Sequence, residues 1–311
     1  MKCLIDLDIL LYEVGSLGQY VDEITEEIVM KSFDDVASAF DQRVKEIEAE
    51  VWATEPSLFF MTNNKQLYKE KEKKKAKALK RATKKLEENP LDDVAKDLVD
   101  VYQPSKYAPN FRDNVAKKKE YKGNRKESKR PLHYQNLVEY VCATRDVICA
   151  EGCEADDLLA IYQCEAEPLT TVICSRDKDL KIIPGMHYGW ACGNQQAFPL
   201  TKVTKVGTLD LLGGKKLTGT GLKFFYSQIL TGDVTDNYPG LPRCGGVKAF
   251  KALNECTSEE EMFEAVKEFY RAKYGDDEWH AEMNEQAQLA WMVCELDEDG
   301  GLVHYVMYDE R

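Results

Sequence analysis

Short apolar, often β-branched runs recur along the chain: CLID at 3–6, SLFFMT at 57–62, DVICA at 146–150, TTVICS at 170–175 and HYGWAC at 187–192. Each is bounded by polar or turn-forming residues and reads as a strand. Between them, apolar residues fall at helical spacing over 26–51, 132–143 and 155–166. Strands alternating with helices predict an α/β fold, in which a mostly parallel central sheet is flanked by helices on both faces. In such sheets ligands bind beyond the carboxyl ends of the strands.

Residues 65–89, KQLYKEKEKKKAKALKRATKKLEEN, contain neither Gly nor Pro and are rich in helix formers, which predicts one helix broken at Asn89-Pro90. Residues 91–130 run through Pro104 and Pro109 and look less regular, as expected of a segment that orders on its ligand. From about 205 onward the pattern becomes mainly helical, in LKFFYSQIL, VKAFKAL, EEEMFEAVKEFYRAKYG and EMNEQAQLAWMVCEL, with LVHYVMY adding one strand. The expected division is an α/β core over 1–204, with a basic insertion at 65–130, and a helical region over 205–311 carrying a Gly-rich hairpin at 237–250.

Charge sharpens this picture. The formal net charge is −13, yet residues 65–130 hold 22 of the 42 Lys and Arg and 11 of the 55 Asp and Glu. A basic segment on an acidic body suits a polyanion held over carboxylates with cations between them; the plain alternative is a solvated helical arm. Ten cysteines are scattered without a CxxC pair, which fits buried thiols in a reducing compartment and argues against a zinc or disulfide framework. No apolar run approaches the ~18 residues of a membrane span, and MKCLIDLDIL starts as an acidic strand and not as a basic leader. The expectation is a soluble, cytoplasmic protein with no membrane partner.

The acidic residues gather on this map. Asp6 and Asp8 end the first strand, Glu154, Asp156 and Asp157 follow the strand at 146–150, and Asp177 and Asp179 follow the one at 170–175. For Glu154 to Asp157 alone, acidic residues facing the positive end of a helix are a sufficient reason. A parallel sheet, however, places all seven at one edge, where like charges destabilise the fold unless cations neutralise them. Oxygen ligands without nearby His favour two Mg²⁺ or Mn²⁺ ions, which can clamp the attacking and leaving oxygens of a phosphodiester. The four His residues, at 133, 187, 280 and 304, have no catalytic setting and read as ordinary. Asp233 and Asp236, spaced as on one side of a helical turn, precede Pro239, Gly240, Pro242, Gly245 and Gly246. Such a Gly-rich hairpin offers backbone N–H groups to phosphates, or is simply a corner between helices. GGKKLTGTG does not satisfy the P-loop pattern.

LIDLD, YKGNRK, EADD, SRDKDL and GDVTDNYPG, in this order and ending in a Gly-rich hairpin, resemble the five-prime nuclease family of flap endonucleases and 5'-3' exonucleases, and FFYSQILTGDVTDN and QAQLAWM are most similar to its bacteriophage exonucleases. The resemblance implies a PIN/5'-nuclease-like fold with a helical arch insertion and a C-terminal helix-three-turn-helix. It implies a two-metal site in which Asp6, Glu154, Asp156 and Asp177 serve the first ion, Asp179, Asp233 and Asp236 the second, with Asp157 an acidic neighbour. Lys122 and Arg125 would reach the scissile phosphate from the arch base, and Tyr121 would stack on a base. Gly240, Arg243, Gly245, Gly246 and Lys248 would grip the duplex backbone, with K⁺ at the hairpin. Asp8 has no firm counterpart. Two departures stand out: FFMTNN places Thr62 or Asn63 where the family carries an Asp, and Arg243 replaces a common Gly.

The activity so implied is metal-dependent hydrolysis of duplex DNA or RNA:DNA from the five-prime end or at a flap, as in primer removal during phage replication or in DNA degradation, with a replication single-strand-binding protein as a further partner. Two other readings are a nucleic-acid-binding protein with weakened or lost catalysis, motivated by Thr62, and a PIN-like ribonuclease, against which the Gly-rich hairpin argues.

Overall fold

The computed structural model describes residues 1–21, 28–62, 65–89, 108–125, 130–193 and 195–311. Its strands are β1 (Lys2–Asp6), β2 (Gln19–Val21), β3 (Ile28–Met30), β4 (Leu58–Thr62), β5 (Val147–Ala150), β6 (Thr171–Cys174), β7 (Gly185–Gly189), β8 (Phe198–Val203), β9 (Leu209–Leu212) and β10 (Lys216–Gly219). The helices are α1 (Leu7–Leu17), α2 (Phe33–Glu50), α3 (Lys65–Glu88), α4 (Arg112–Val115), α5 (Tyr134–Thr144), α6 (Ala155–Glu165), α7 (Gly221–Thr231), α8 (Gly246–Leu253) and α9 (Glu259–Ala290).

Six strands form the central sheet in the order β5-β4-β1-β6-β7-β8. Every pairing from β5 to β7 is parallel, and only β8 runs antiparallel to its neighbour. Side-chain alternation sorts the strands into two apolar layers. Leu4, Phe60 and Ile173 face a core shared with Leu159, Phe225, Ile229 and Met283, while Cys3, Ile5, Phe59, Met61 and Val172 face one shared with Leu10, Phe40 and Val138. A one-residue slip of β1 would exchange these layers and bring Asp6 into the wrong one, so the register of the central strand is tightly specified.

The sequence reading needs several corrections. The helix expected at 26–51 begins only at Phe33, capped by Ser32 whose side chain accepts from Asp35 N, and residues 28–30 instead pair with β2. The 205–220 region is not helical: Gly213 and Gly214, at φ +59° and +70°, turn β9 back onto β10, a conformation that side chains disfavour. The expected tail strand is reduced to one bridge between Leu296 and Leu302. The long C-terminal helix kinks at Gly275 (φ +78°) and stops at Ala290, so Trp291 to Cys294 lie outside any helix or strand.

The basic helix forms as expected over Lys65–Glu88. Of the less regular stretch, 90–107 and 126–129 lie outside the described residues, whereas 111–125 is built into the body: Phe111 N donates to Gly152 O, and Lys122 N to Asp236 O. Among the described residues, no helix is long and apolar enough to cross a membrane.

Candidate active site

The carboxyl ends of three parallel strands carry the acidic residues. Asp6 closes β1 and caps α1, accepting from Ile9 N at 3.3 Å, so the strand-to-helix switch holds its carboxylate at the sheet edge. Asp8 lies two residues further on, in the first turn of α1. Glu154 caps α6 beyond β5, and Asp156 lies in the first turn of that helix. Asp177 and Asp179 follow β6, where Asp179 N donates to Asp177 Oδ1 at 2.8 Å. Ser175 Oγ, at the same strand end, donates to Asp6 Oδ2 at 2.6 Å and accepts from Asp177 N at 2.9 Å.

Crowding shows in the proton affinities. Burial, with the Asp8 and Asp177 charges, pushes the Asp6 carboxyl up to about 7. Burial raises Asp8 to about 6, and burial with Asp177 raises Asp179 to about 7. Asp156 is driven well above its ordinary value by burial and then by Asp6 and Asp177. These are desolvated oxygens facing one another, a donor set that suits hard divalent cations.

Internal cations offset part of this charge. Lys122, held at φ +51°, brings its Nζ to 2.5 Å from Glu154 Oε1 and 3.7 Å from Asp236 Oδ1. Burial works to raise Glu154, but Lys122 and then Arg112 hold it below the usual carboxylate value. Arg125 pairs with Asp236 Oδ1 at 2.7 Å. Lys178 Nζ bridges Asp179, at 3.0 Å, and Asp233. Gln228, buried on α7, donates from Nε2 to Asp179 Oδ1. Among the described residues, no three His, Cys, Asp or Glu side chains close around one point as a ready-made ion cage; the ammonium groups stand between several of the carboxylates.

Three expected roles change. Asp157 is not in the cluster. Its carboxylate is wholly buried and takes Arg112 at 2.7 and 2.8 Å, Glu154 N at 2.9 Å and Val293 N at 2.9 Å, so no oxygen remains for a metal or its water. Tyr121 cannot stack on a base, because its ring lies in the core and its hydroxyl sits 3.0 Å from Glu154 Oε2 and 3.1 Å from Asp236 Oδ2. Gly240 is buried and donates its N–H to Gln286 Oε1 at 2.8 Å, so it shapes the turn and does not face a phosphate. Asp233 and Asp236 also do not share a helical turn. They flank a tight loop after α7, in which Asp233 Oδ1 accepts from Thr235 N and Asp236 N.

Thr62 does stand at the end of β4, and the structure shows what surrounds it. Its N–H donates to Asp8 Oδ2 at 3.0 Å, its Oγ1 accepts from Ala155 N at 3.0 Å, and its hydroxyl bonds Asp8 as well. Asp8 thus brings a carboxylate to the strand end where Thr62 has none. Sequence reasoning undervalued it, and it passed over Arg112, Lys178 and Gln228, although Lys178 lies inside SRDKDL.

On the hairpin, Arg243, Gly245 and Lys248 are exposed and Gly246 is half-buried. Arg243 holds φ +64°, which is why a glycine would be at ease there. Gly245 caps α8 without a side-chain bond.

Residues 57–187 match the family described as 5'-3' exonuclease, N-terminal resolvase-like domain. Over 145 residues the chain is 29% identical to an exodeoxyribonuclease of Enterobacteria phage T3, covering 43% of this chain and 42% of that protein. Over 160 residues it is 30% identical to a DNA polymerase I of Rhizobium leguminosarum, covering 49% of this chain and 15% of that one. The chain therefore spans less than half the length of either relative. The T5 5'-exonuclease with zinc ions bound aligns at a TM-score of 0.45 and 13% identity, over 93% of this chain and 99% of that one. The family resemblance read from the ordered motifs is borne out.

Proposed function

From a chain whose residues 57–187 match the 5'-3' exonuclease N-terminal, resolvase-like domain, we propose a divalent-metal-dependent nuclease acting on DNA or RNA:DNA from the five-prime end or at a flap. The observation that carries this reading is the line of buried and half-buried carboxylates at one sheet edge, faced by Lys122, Arg125 and Lys178. Asp6, Asp8, Glu154, Asp156 and Asp177 would hold one Mg²⁺ or Mn²⁺, and Asp179, Asp233 and Asp236 a second. Held by these carboxylates, such ions would supply Lewis-acid activation of water and neutralisation of phosphoryl charge.

The chain's own groups supply the rest. Lys122 and Arg125 share their carboxylate partners with the site and stand at the base of the 65–130 insertion, so an entering phosphate would compete for both cations. Each then places positive charge on the non-bridging oxygens, where charge builds in the transition state. Arg243, Lys248 and the α8 N-terminus would hold the duplex backbone, with K⁺ as an additional bridge at the hairpin. The division into a nuclease core over 1–204 and a duplex-holding region over 205–311 belongs to the same reading.

The test is cleavage of a five-prime-labelled duplex with a short flap in Mg²⁺, Mn²⁺ or EDTA, beside Asp179→Ala. Metal-dependent cleavage lost in the variant is expected, and the labelled product's length separates exonuclease from flap cutting. Binding without cleavage in either metal would refute the reading in favour of a non-catalytic nucleic-acid binder.

A further inference from the structure

Asp179 and Asp233 come from different parts of the chain, one after β6 and the other after α7, and both are buried. Their shared neighbour is a single ammonium. Lys178 Nζ lies 3.0 Å from Asp179 Oδ1 and bonds Asp233 Oδ2. The remaining oxygen of Asp233 is committed to Thr235 N and Asp236 N, so Oδ2 is the one left to face a ligand. Gln228 presses from the buried side, its Nε2 on Asp179 Oδ1 and its Oε1 buried with no partner among the described residues.

We propose that Lys178 is the resident counter-cation of the Asp179–Asp233 pair, and that a divalent ion binds these two carboxylates only by displacing its ammonium. The inference rests on the metal-dependent reading above and adds to it a competitor built into the chain. Two physical points carry it. An oxygen lone pair that accepts from an ammonium cannot also coordinate a metal, and two cations a few ångströms apart in a partly desolvated site repel strongly. Lys178 is also the partner able to leave. Its side chain is 53% exposed on a flexible four-carbon stem, whereas Gln228 is 3% exposed and held in the core. Buried Gln228 therefore stays as the fixed wall while Lys178 swings to solvent. Its unpartnered Oε1 marks a spot beside Asp179 that still needs a donor, such as the water of an incoming hydrated ion.

The consequence is asymmetric loading. Among the described residues, Lys122 pairs with Glu154 and Asp236 at the margin of the other group, but no ammonium is paired with Asp6 or Asp156, and these take an ion first. The Asp179–Asp233 pair takes one second and more weakly, because part of the binding energy goes into expelling Lys178.

The experiment is a Mn²⁺ titration of the full chain, with free Mn²⁺ read by its electron paramagnetic resonance signal. Wild type is compared with Lys178→Met, Lys178→Arg and Lys181→Met. Lys181 is a nearby lysine whose ammonium lies 3.7 Å over the Phe198 ring. In Lys178→Met the weaker of two dissociation constants should fall about tenfold, with the tighter one unchanged. Lys178→Arg and Lys181→Met should keep both constants within about twofold of wild type, on the scale where tenfold is 1.4 kcal/mol. As a second readout, Lys178→Met should lower the thermal midpoint in EDTA, because the two carboxylates lose their counter-charge, and Mn²⁺ should restore it. Two Mn²⁺ bound with the weaker constant unmoved in Lys178→Met, or moved equally in Lys181→Met, overturns the inference and leaves the nuclease reading intact. Fewer than two Mn²⁺ bound by wild type overturns both.

Discussion

Replacing Asp157 by Asn separates a structural carboxylate from a metal-binding one. Asp157 is 0% exposed and Arg112 1%. The guanidinium meets both carboxylate oxygens, at 2.7 and 2.8 Å, two further N–H groups go to the carbonyls of Leu289 and Trp291, and Nη1 lies 4.0 Å from Glu154 Oε2. Asn removes the negative charge and turns one end of the side chain into a donor, so an Arg N–H faces an N–H and a buried cation loses its hydrogen-bonded counter-ion, keeping only Glu154 at 4.0 Å. Breaking a buried pair from one side costs about 3–5 kcal/mol, and because Arg112 keeps two carbonyl acceptors, we expect about 3 kcal/mol. Against a total of about 5–15 kcal/mol for a folded protein, that is a large fraction. Urea unfolding followed by far-UV circular dichroism in EDTA measures it, and Mn²⁺ affinity at low urea should barely change. A loss under about 1 kcal/mol in EDTA, together with weakened Mn²⁺ binding, would refute the argument and return Asp157 to the metal site. A double variant, Arg112→Met/Asp157→Leu, should lose less than the two single variants summed, because it leaves no orphaned charge.

Three further outcomes follow from the geometry. His187 is buried, donates from Nε2 to Ile183 O at 2.7 Å, and is pushed down to about 4 by burial; above about 6.5 both folded and unfolded states are neutral, and as pH falls from there to about 4 only the unfolded chain takes the proton, so stability drops by about 1.4 kcal/mol per pH unit. His187→Gln should flatten the urea midpoint over that window, and an unchanged slope would sink the assignment. Gly240 holds φ +62°, and an added Cβ would lie 2.2 Å from Gly232 N, whereas one on Gly245 meets nothing within 4 Å; Gly240→Ala should lose more than about 2 kcal/mol and Gly245→Ala less than about 1 kcal/mol in the same unfolding assay, and equal losses would contradict the close approach. Asp156→Asn should raise the thermal midpoint in EDTA by removing one of the crowded charges, and should abolish most of the gain that Mn²⁺ gives wild type, about 2.7 kcal/mol at a hundredfold excess over Kd; a full Mn²⁺ gain in the variant would exclude Asp156 as a ligand.

Much of this was readable from residue order, because it depends on local pattern. Short apolar runs mark β1, β4, β5 and β6, and the acidic residues at or just past the ends of β1, β5 and β6 then fall at the shared edge without any knowledge of packing. What escaped depends on partners far apart in sequence. Asp157 looks like its neighbour Asp156 until Arg112, 45 residues earlier, is found against it. Tyr121 sits among charged residues and reads as exposed, yet its ring fills the core because the Lys122 backbone is tied to Asp236. The β9–β10 hairpin is a different case: Gly213-Gly214 between LDLL and KLTG is a turn signal in plain view, and the helical residues around it obscured it. Asp8 was ambiguous because its value depends on Thr62, a neighbour supplied only by strand pairing.

The chain leaves the sheet at Thr62 and is tied back to the body at Phe111 and Arg112, and both points of attachment are independent of what lies between. Thr62 is fixed by Asp8 and Ala155 N, and Phe111 by Gly152 O. Closing a longer or shorter excursion between two such anchors changes stability little, about 0.6 kcal/mol per doubling of length. The stretch between them can therefore be lengthened or shortened by design at little cost, while the carboxylates behind it keep their places.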